Sequence, residues 1–197
     1  MVVDFNKLSL WQLVLHVVCS VVVLINAMMP AFDKKTWNYE IKSMETYSAN
    51  ESLLKFDLTI ERVSRGVYAF TGDLIMTIDV NEEDDSYIEA CAARSHNGVS
   101  DYRMLPFKMP RQHLFTAMNT FYKEILMETL SECSNLPVFE DKFEPPLRKG
   151  VYTITKCQFS QDGFPNHVAE GFYKIMIFGN GTVDWSISVI AQVETAH

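Results

Sequence analysis

Apolar and polar side chains alternate along most of this chain. Leu54, Phe56, Leu58 and Ile60 fall on one face of an extended segment, with Lys55, Asp57, Thr59 and Glu61 on the other. Over residues 68–80, Tyr68, Phe70, Leu74, Met76, Ile78 and Val80 oppose Asp73, Thr77 and Asp79. Over residues 183–193, Val183, Trp185, Ile187, Val189, Ala191 and Val193 oppose Asp184, Ser186, Ser188 and Gln192. A period of two over such lengths predicts half-buried antiparallel strands. Weaker strand patterns occupy residues 37–45, 86–94, 101–106, 151–158 and 171–178. Turn-forming residues separate them, at Arg65-Gly66, Asn81 to Asp85, Asn97-Gly98, Gly150, Asp162-Gly163 and Gly179 to Gly181. Residues 111–132 break the pattern. They lack Gly and Pro and carry Leu114, Met118, Phe121, Tyr122, Ile125, Leu126 and Leu130 at steps of three and four. That spacing predicts one amphipathic helix, entered after Pro110 and ended before Pro137. The expected architecture is mainly β: about eight strands in a two-sheet antiparallel sandwich or cup, with the helix near 111–132 laid across an opening or edge.

The first residues follow a different rule. Leu10 to Ile25 is a dense apolar run preceded by a short polar head with Lys7, and small residues follow at Asn26-Ala27 and Pro30-Ala31. This is the pattern of a secretory signal peptide at 1–27, with cleavage between 27 and 31, leaving one domain at 32–197. The alternative is an uncleaved anchor, for which the run is short and interrupted by Gln12 and His16. A leader places the domain outside the cell, where disulfides persist. Cys19 leaves with the leader, and Cys91, Cys133 and Cys157 remain. Cys133 and Cys157, each at the edge of a predicted element, are the expected disulfide. Cys91, within Ala90-Cys91-Ala92-Ala93, is expected to be a buried free thiol. Asn50-Glu51-Ser52 and Asn180-Gly181-Thr182 are glycosylation sequons in predicted turns, with Asn50 and Asn180 as acceptors.

Composition narrows the function further. The net charge of −8 argues against a protein that coats nucleic acid, and the basic residues form no patch interleaved with aromatics. Gly-x-Ser-x-Gly and P-loop patterns are absent. His96, His113, His167 and His197 are scattered singly, without a metal-ligand step. Asn81 to Asp85 lacks the spacing and glycine of a calcium loop. Nothing here points to an enzyme or to a cofactor. The positive signal is an apolar surplus, with 13 Phe and 10 Met among 197 residues. A sandwich can fill its core with these side chains, or it can splay and line a ligand cavity with them. Phe56, Leu58, Phe70, Met76, Met118, Phe121, Ile175, Trp185 and Ile187 are the candidate lining residues.

An ordered set of short phrases carries a resemblance. It comprises Trp37-x-Tyr39-Glu40, the stretch from Ile60-Glu61-Arg62 through Arg65-Gly66-Val67-Tyr68 to Gly72, Leu105-Pro106-Phe107, Glu132-Cys133-Ser134-Asn135-Leu136-Pro137, Gly150-x-Tyr152 to Cys157, Phe164-Pro165, and Glu170-Gly171-Phe172-Tyr173-Lys174-Ile175. In order and spacing the set is similar to the insect CheB (chemosensory protein B) family, over nearly the whole mature chain. That family is related to the ML lipid-recognition superfamily and resembles the ganglioside-activator protein. The resemblance implies an immunoglobulin-like β-cup with an apolar cavity, secretion, and contact detection of lipid-like or hydrocarbon pheromone cues. It also implies, as a second reading, an interaction module acting on a membrane receptor or a degenerin-type sodium channel. The chain departs from the activator protein in keeping three cysteines where that protein has four disulfides. This departure speaks against ganglioside hand-over and leaves general lipid carriage intact.

Overall fold

The computed structural model describes residues 35–159, 161 and 164–196. The leader expected at 1–27 with Cys19, the expected Asp162-Gly163 turn and His197 lie outside the described residues. Among the described residues, eight antiparallel strands form: β1 (Trp37–Ser48), β2 (Leu54–Ser64), β3 (Val67–Met76), β4 (Tyr87–Ser95), β5 (Arg103–His113), β6 (Gly150–Cys157), β7 (Gly171–Asn180) and β8 (Trp185–Thr195). They make a five-stranded sheet in the order β1-β8-β7-β4-β5 and a three-stranded sheet in the order β2-β3-β6. This is the expected two-sheet sandwich with one helix.

The alternation decides which faces meet. In the small sheet, Leu54, Phe56, Leu58 and Ile60 pair with Met76, Leu74, Gly72 and Phe70. Gly72, Leu74 and Met76 pair in turn with Ile154, Tyr152 and Gly150, and Phe70 with Cys157. Because side chains alternate along a strand, these residues share one face. In the large sheet the matching rows are Ile187-Ile177-Ala90-Met109 and Val189-Ile175-Ala92. Phe56 of β2 meets Trp185 of β8 with ring centroids 5.7 Å apart, so these two faces look at each other.

Two expected boundaries move. The pattern placed a strand at 101–106 and a helix from 111, whereas β5 runs on through Pro106 and Pro110 to His113. β5 is the edge of its sheet, where a residue without an N–H removes no ladder bond, and its pairing with β4 shifts register twice. The strand expected over 68–80 stops at Met76, and Val80 instead bridges Leu147.

The helix comprises α1 (Leu114–Ala117), a π-helical stretch (Met118–Leu126) and α2 (Met127–Ser131). His113 caps it, accepting from the Phe115 N–H at 3.4 Å. Asn119 Nδ2 donates to Phe115 O at 2.8 Å and Thr120 Oγ1 to Thr116 O at 2.9 Å. These side chains compete for the carbonyls that an α-helix reserves for backbone N–H groups four residues on, and the backbone widens to i→i+5 bonds. The wider turn rotates Ile125, expected to face inward, out to 42% exposure. Phe115, Met118, Tyr122 and Leu130 stay buried with Val80, Phe143 and Cys157. Ala117 and Phe121 pack on Ala90, Met109 and Ile177 of the large sheet. The helix thus wedges between the sheets on the side away from β1 and β2.

Tyr122 donates its hydroxyl to Pro137 O at 2.8 Å, and burial pushes its pKa up to about 12. A phenol that resists ionising only in the folded state stabilises the fold fully below pH 10. That contribution is lost as the pH rises from 10 towards 12. Burial also raises Tyr39, Tyr152 and Tyr173. Tyr122→Phe should cost about 1 kcal/mol at pH 8, from the lost hydrogen bond. Its loss of stability between pH 10 and 12 should be shallower than the parent's, as read by urea unfolding at both ends of that range.

Candidate functional site

The space between the sheets has a packed side and an open one. Beneath the helix the side chains form the two buried clusters just described. Along β7 the picture differs. Ile175 sits on the inward face of a strand flanked by β4 and β8, yet it is 40% exposed. Ile177, Ile187, Val189, Leu58, Leu74 and Met76 are all half-buried. A filled sandwich buries such positions. Here the inward faces splay enough to leave them accessible.

Glycines shape the floor. The inward face of β7 reads Gly171, Tyr173, Ile175, Ile177, Gly179. A Cβ on Gly179 would lie 2.1–2.6 Å from the indole of Trp185, so the ring occupies the room beside that glycine while it meets Phe56 across the space. A Cβ on Gly171 would lie 3.1 Å from Arg94 Nε, so the Arg94 side chain covers the other end. The Ile175–Ile177 floor is bounded by a guanidinium at one end and an indole at the other. Near the Trp37 end of the sandwich, Phe70 is buried against Phe159 with centroids 5.4 Å apart. Trp37 donates from Nε1 to Pro165 O at 2.9 Å, and Tyr39 from its hydroxyl to Phe159 O at 2.6 Å.

All nine sequence candidates occupy inward positions, and the structure divides them. Met118 is sealed in the cluster beneath the helix, and Phe70 is buried against Phe159. Phe121 covers the helix end of the floor. Phe56, Leu58, Met76, Trp185 and Ile187 are half-buried walls, and Ile175 is the most open. Cys133 and Cys157 are bonded, joining the residues after the helix to the end of β6. Cys91 is free, as expected, but only half-buried on the outward face of β4. That face carries no second layer, and the cross-strand neighbours Met176 and Lys108 cover the thiol only in part. Asn50 and Asn180 lie at exposed turns, and Asn50 Oδ1 accepts from Ser52 N at 3.1 Å and Ser52 Oγ at 2.7 Å.

Other chemistry lies at the Gly171 end of this floor or beyond it. A mainly polar cleft of about 410 Å³ opens at that end of the sheet, lined by His96, Glu170, Gly171, Phe172, Gln192, Val193, Glu194 and Thr195. His113 bonds Asp84 O, and His167 Nδ1 lies 2.9 Å from Thr36 Oγ1. Among the described residues, no group of three His, Cys, Asp or Glu is placed to hold a metal ion, and no helix is long and apolar enough to cross a membrane.

Residues 90–175 match the family model described as Protein of unknown function (DUF1091). This is an ML-like family. The DUF1091 match begins in β4, takes in β5, the helix, the disulfide and β6, and ends at Ile175, covering less than half of the chain. It therefore contains the helix wedge and the first half of the β7 floor. No curated protein matches the chain.

Proposed function

We propose that this chain is a secreted protein of the CheB kind that holds a lipid or hydrocarbon-like ligand between its sheets, serving contact chemosensation or pheromone detection. The observation that carries the reading is Ile175, an isoleucine central to an inward face and still 40% exposed. The splay leaves apolar side chains without partners of their own, and an apolar ligand would supply them. Removing its surface from water is worth roughly 25 cal/mol per Å². The ML-like match over residues 90–175 and the leader sequence support the same reading. No covalent chemistry is required.

Native mass spectrometry and solvent extraction of protein secreted from cultured cells should recover a hydrophobic ligand. Ile175→Trp should lower affinity for a long-chain fluorescent probe by about tenfold or more, because the indole occupies ligand space. The variant should melt within about 3 °C of the parent, because Ile175 is already 40% exposed and the larger ring displaces no packed neighbour. A large fall in melting temperature with unchanged probe affinity would show a filled core and sink the reading.

One observation favours a second reading, an interaction module for a membrane receptor or channel. Along the β4–β5 hairpin, Val99, Met104 and Phe107 are 88%, 62% and 60% exposed. A module of that kind binds its partner without ligand and is sensitive to Phe107→Ser instead of Ile175→Trp.

A further inference from the structure

One row of the inward face carries charge. Arg94 stands opposite Tyr173 on one side and opposite Arg103 on the other. It shares its face with Ala92 and Ala90, the cross-strand partners of Ile175 and Ile177. Two arginines directly across a strand pair repel one another. Arg94 donates from Nε to Glu170 O at 3.1 Å and from Nη2 to the same oxygen. Its guanidinium carbon lies 6.0 Å from the centroid of the Tyr173 ring. These contacts hold the side chain in place while leaving three of its five N–H donors. They also bring no opposite charge, since a backbone carbonyl is neutral. Arg103 is exposed, and no ion pair among the described residues joins it to a carboxylate. Nearby, Asp101 accepts from Ser95 Oγ at 2.8 Å, and Glu170 accepts from Thr195 N at 3.1 Å.

The far end of the floor has the opposite character. There the Trp185 indole lies over Gly179 and against Phe56. From Tyr173 to Gly179 the strand advances six residues, about 20 Å. The floor therefore runs from a cationic end, past two isoleucines, to an aromatic one.

We infer that the cup takes an amphiphile with an anionic head, a carboxylate or a phosphate, held by Arg94 and Arg103, with its tail running over Ile175 and Ile177 towards Trp185. This rests on the cup reading and sharpens it, because a bare hydrocarbon leaves the arginine pair unanswered. Guanidinium forks match the paired oxygens of carboxylates and phosphates. An anion between the two arginines also replaces their repulsion with two attractions.

Displacement of N-phenyl-1-naphthylamine from the full secreted protein tests it, with each competitor kept below its micellar concentration. Oleate, oleoyl lysophosphatidate, oleyl alcohol and 1-octadecene share a chain and differ in the head. At least one of the two anions should displace the probe at about tenfold lower concentration than the alcohol, the effect of one charge-assisted hydrogen bond. Which of them does so separates carboxylate from phosphate. Arg103→Gln should abolish that preference and leave oleyl alcohol unchanged; because Arg103 is exposed, the variant should fold. Arg94→Gln should do the same where its melting temperature is retained. If all four competitors act alike, or if Arg103→Gln leaves the preference intact, the anionic head is wrong and the cup stands. If the probe itself fails to bind, the cup reading falls and takes this inference with it.

Discussion

Replacing both half-cystines with alanine, Cys133→Ala with Cys157→Ala, should lower the unfolding free energy by about 3–4 kcal/mol. The bond closes a separation of 24 residues, and releasing it returns that loop entropy to the unfolded chain. The location adds to the effect. Thr155 donates from its N–H to Cys133 O at 2.7 Å, and Ser134 bridges Ile154, so the disulfide anchors the chain beyond the helix to β6. Cys157 is 1% exposed within the cluster that also holds Met118 and Tyr122. The helix is the wedge that separates the sheets, so loosening its far end should also weaken probe binding. Calorimetry should show a fall in melting temperature of about 10 °C for a domain of this size. A fall under about 2 °C would mean that the helix is held by packing alone.

Gly72→Ala should be as damaging, through the backbone. Gly72 lies inside β3, opposite Leu58, with φ at +135°. A Cβ there would fall 2.0 Å from Asp57 O and 3.0 Å from Leu58 Cα, both on the neighbouring strand. Neither can move like the tip of a side chain, so the β2–β3 ladder must part or the strand must change conformation. The expected cost is more than about 3 kcal/mol, from the clash and the unfavourable φ together. Urea unfolding measures it. Near-parental stability would mean that β3 re-registers locally, and amide exchange of the β2–β3 ladder would then show the shift.

Most of the fold was legible because period two is a strong signal wherever one face is buried. β2 shows it best, with Leu54, Phe56, Leu58 and Ile60 inward, as their spacing predicts. The failures have local causes. Pro106 and Pro110 read as stops, but an edge strand tolerates residues that cannot donate, and edge position is a property of the assembled sheet. Ile125 fitted a 3.6-residue period, but Asn119 and Thr120 changed the helix under it. The inward positions of the seven strand candidates followed from alternation, and those of Met118 and Phe121 from the three- and four-residue steps of the helix. Their division into sealed and open did not, because it depends on how far the helix holds the sheets apart. The Arg94–Arg103 pair was also missed. Ala90-Cys91-Ala92-Ala93 hides the alternation of β4, and a cross-strand neighbour is set by register between segments far apart in sequence.

The pairing of β1 with β8 sets an order of events. Trp37 lies opposite Thr195, and Ser48 opposite Trp185, so the first of the described strands hydrogen-bonds to the last. As the chain is synthesised, β1 has no sheet partner until residues 185–195 have emerged, whereas the β2–β3 hairpin and the β4–β5 hairpin find theirs at once. The large sheet closes last, through a contact that spans almost the whole domain, which is the slow, non-local kind of step. Until then β1 offers Trp37 and Ile41, both destined for burial, to whatever surrounds the growing chain.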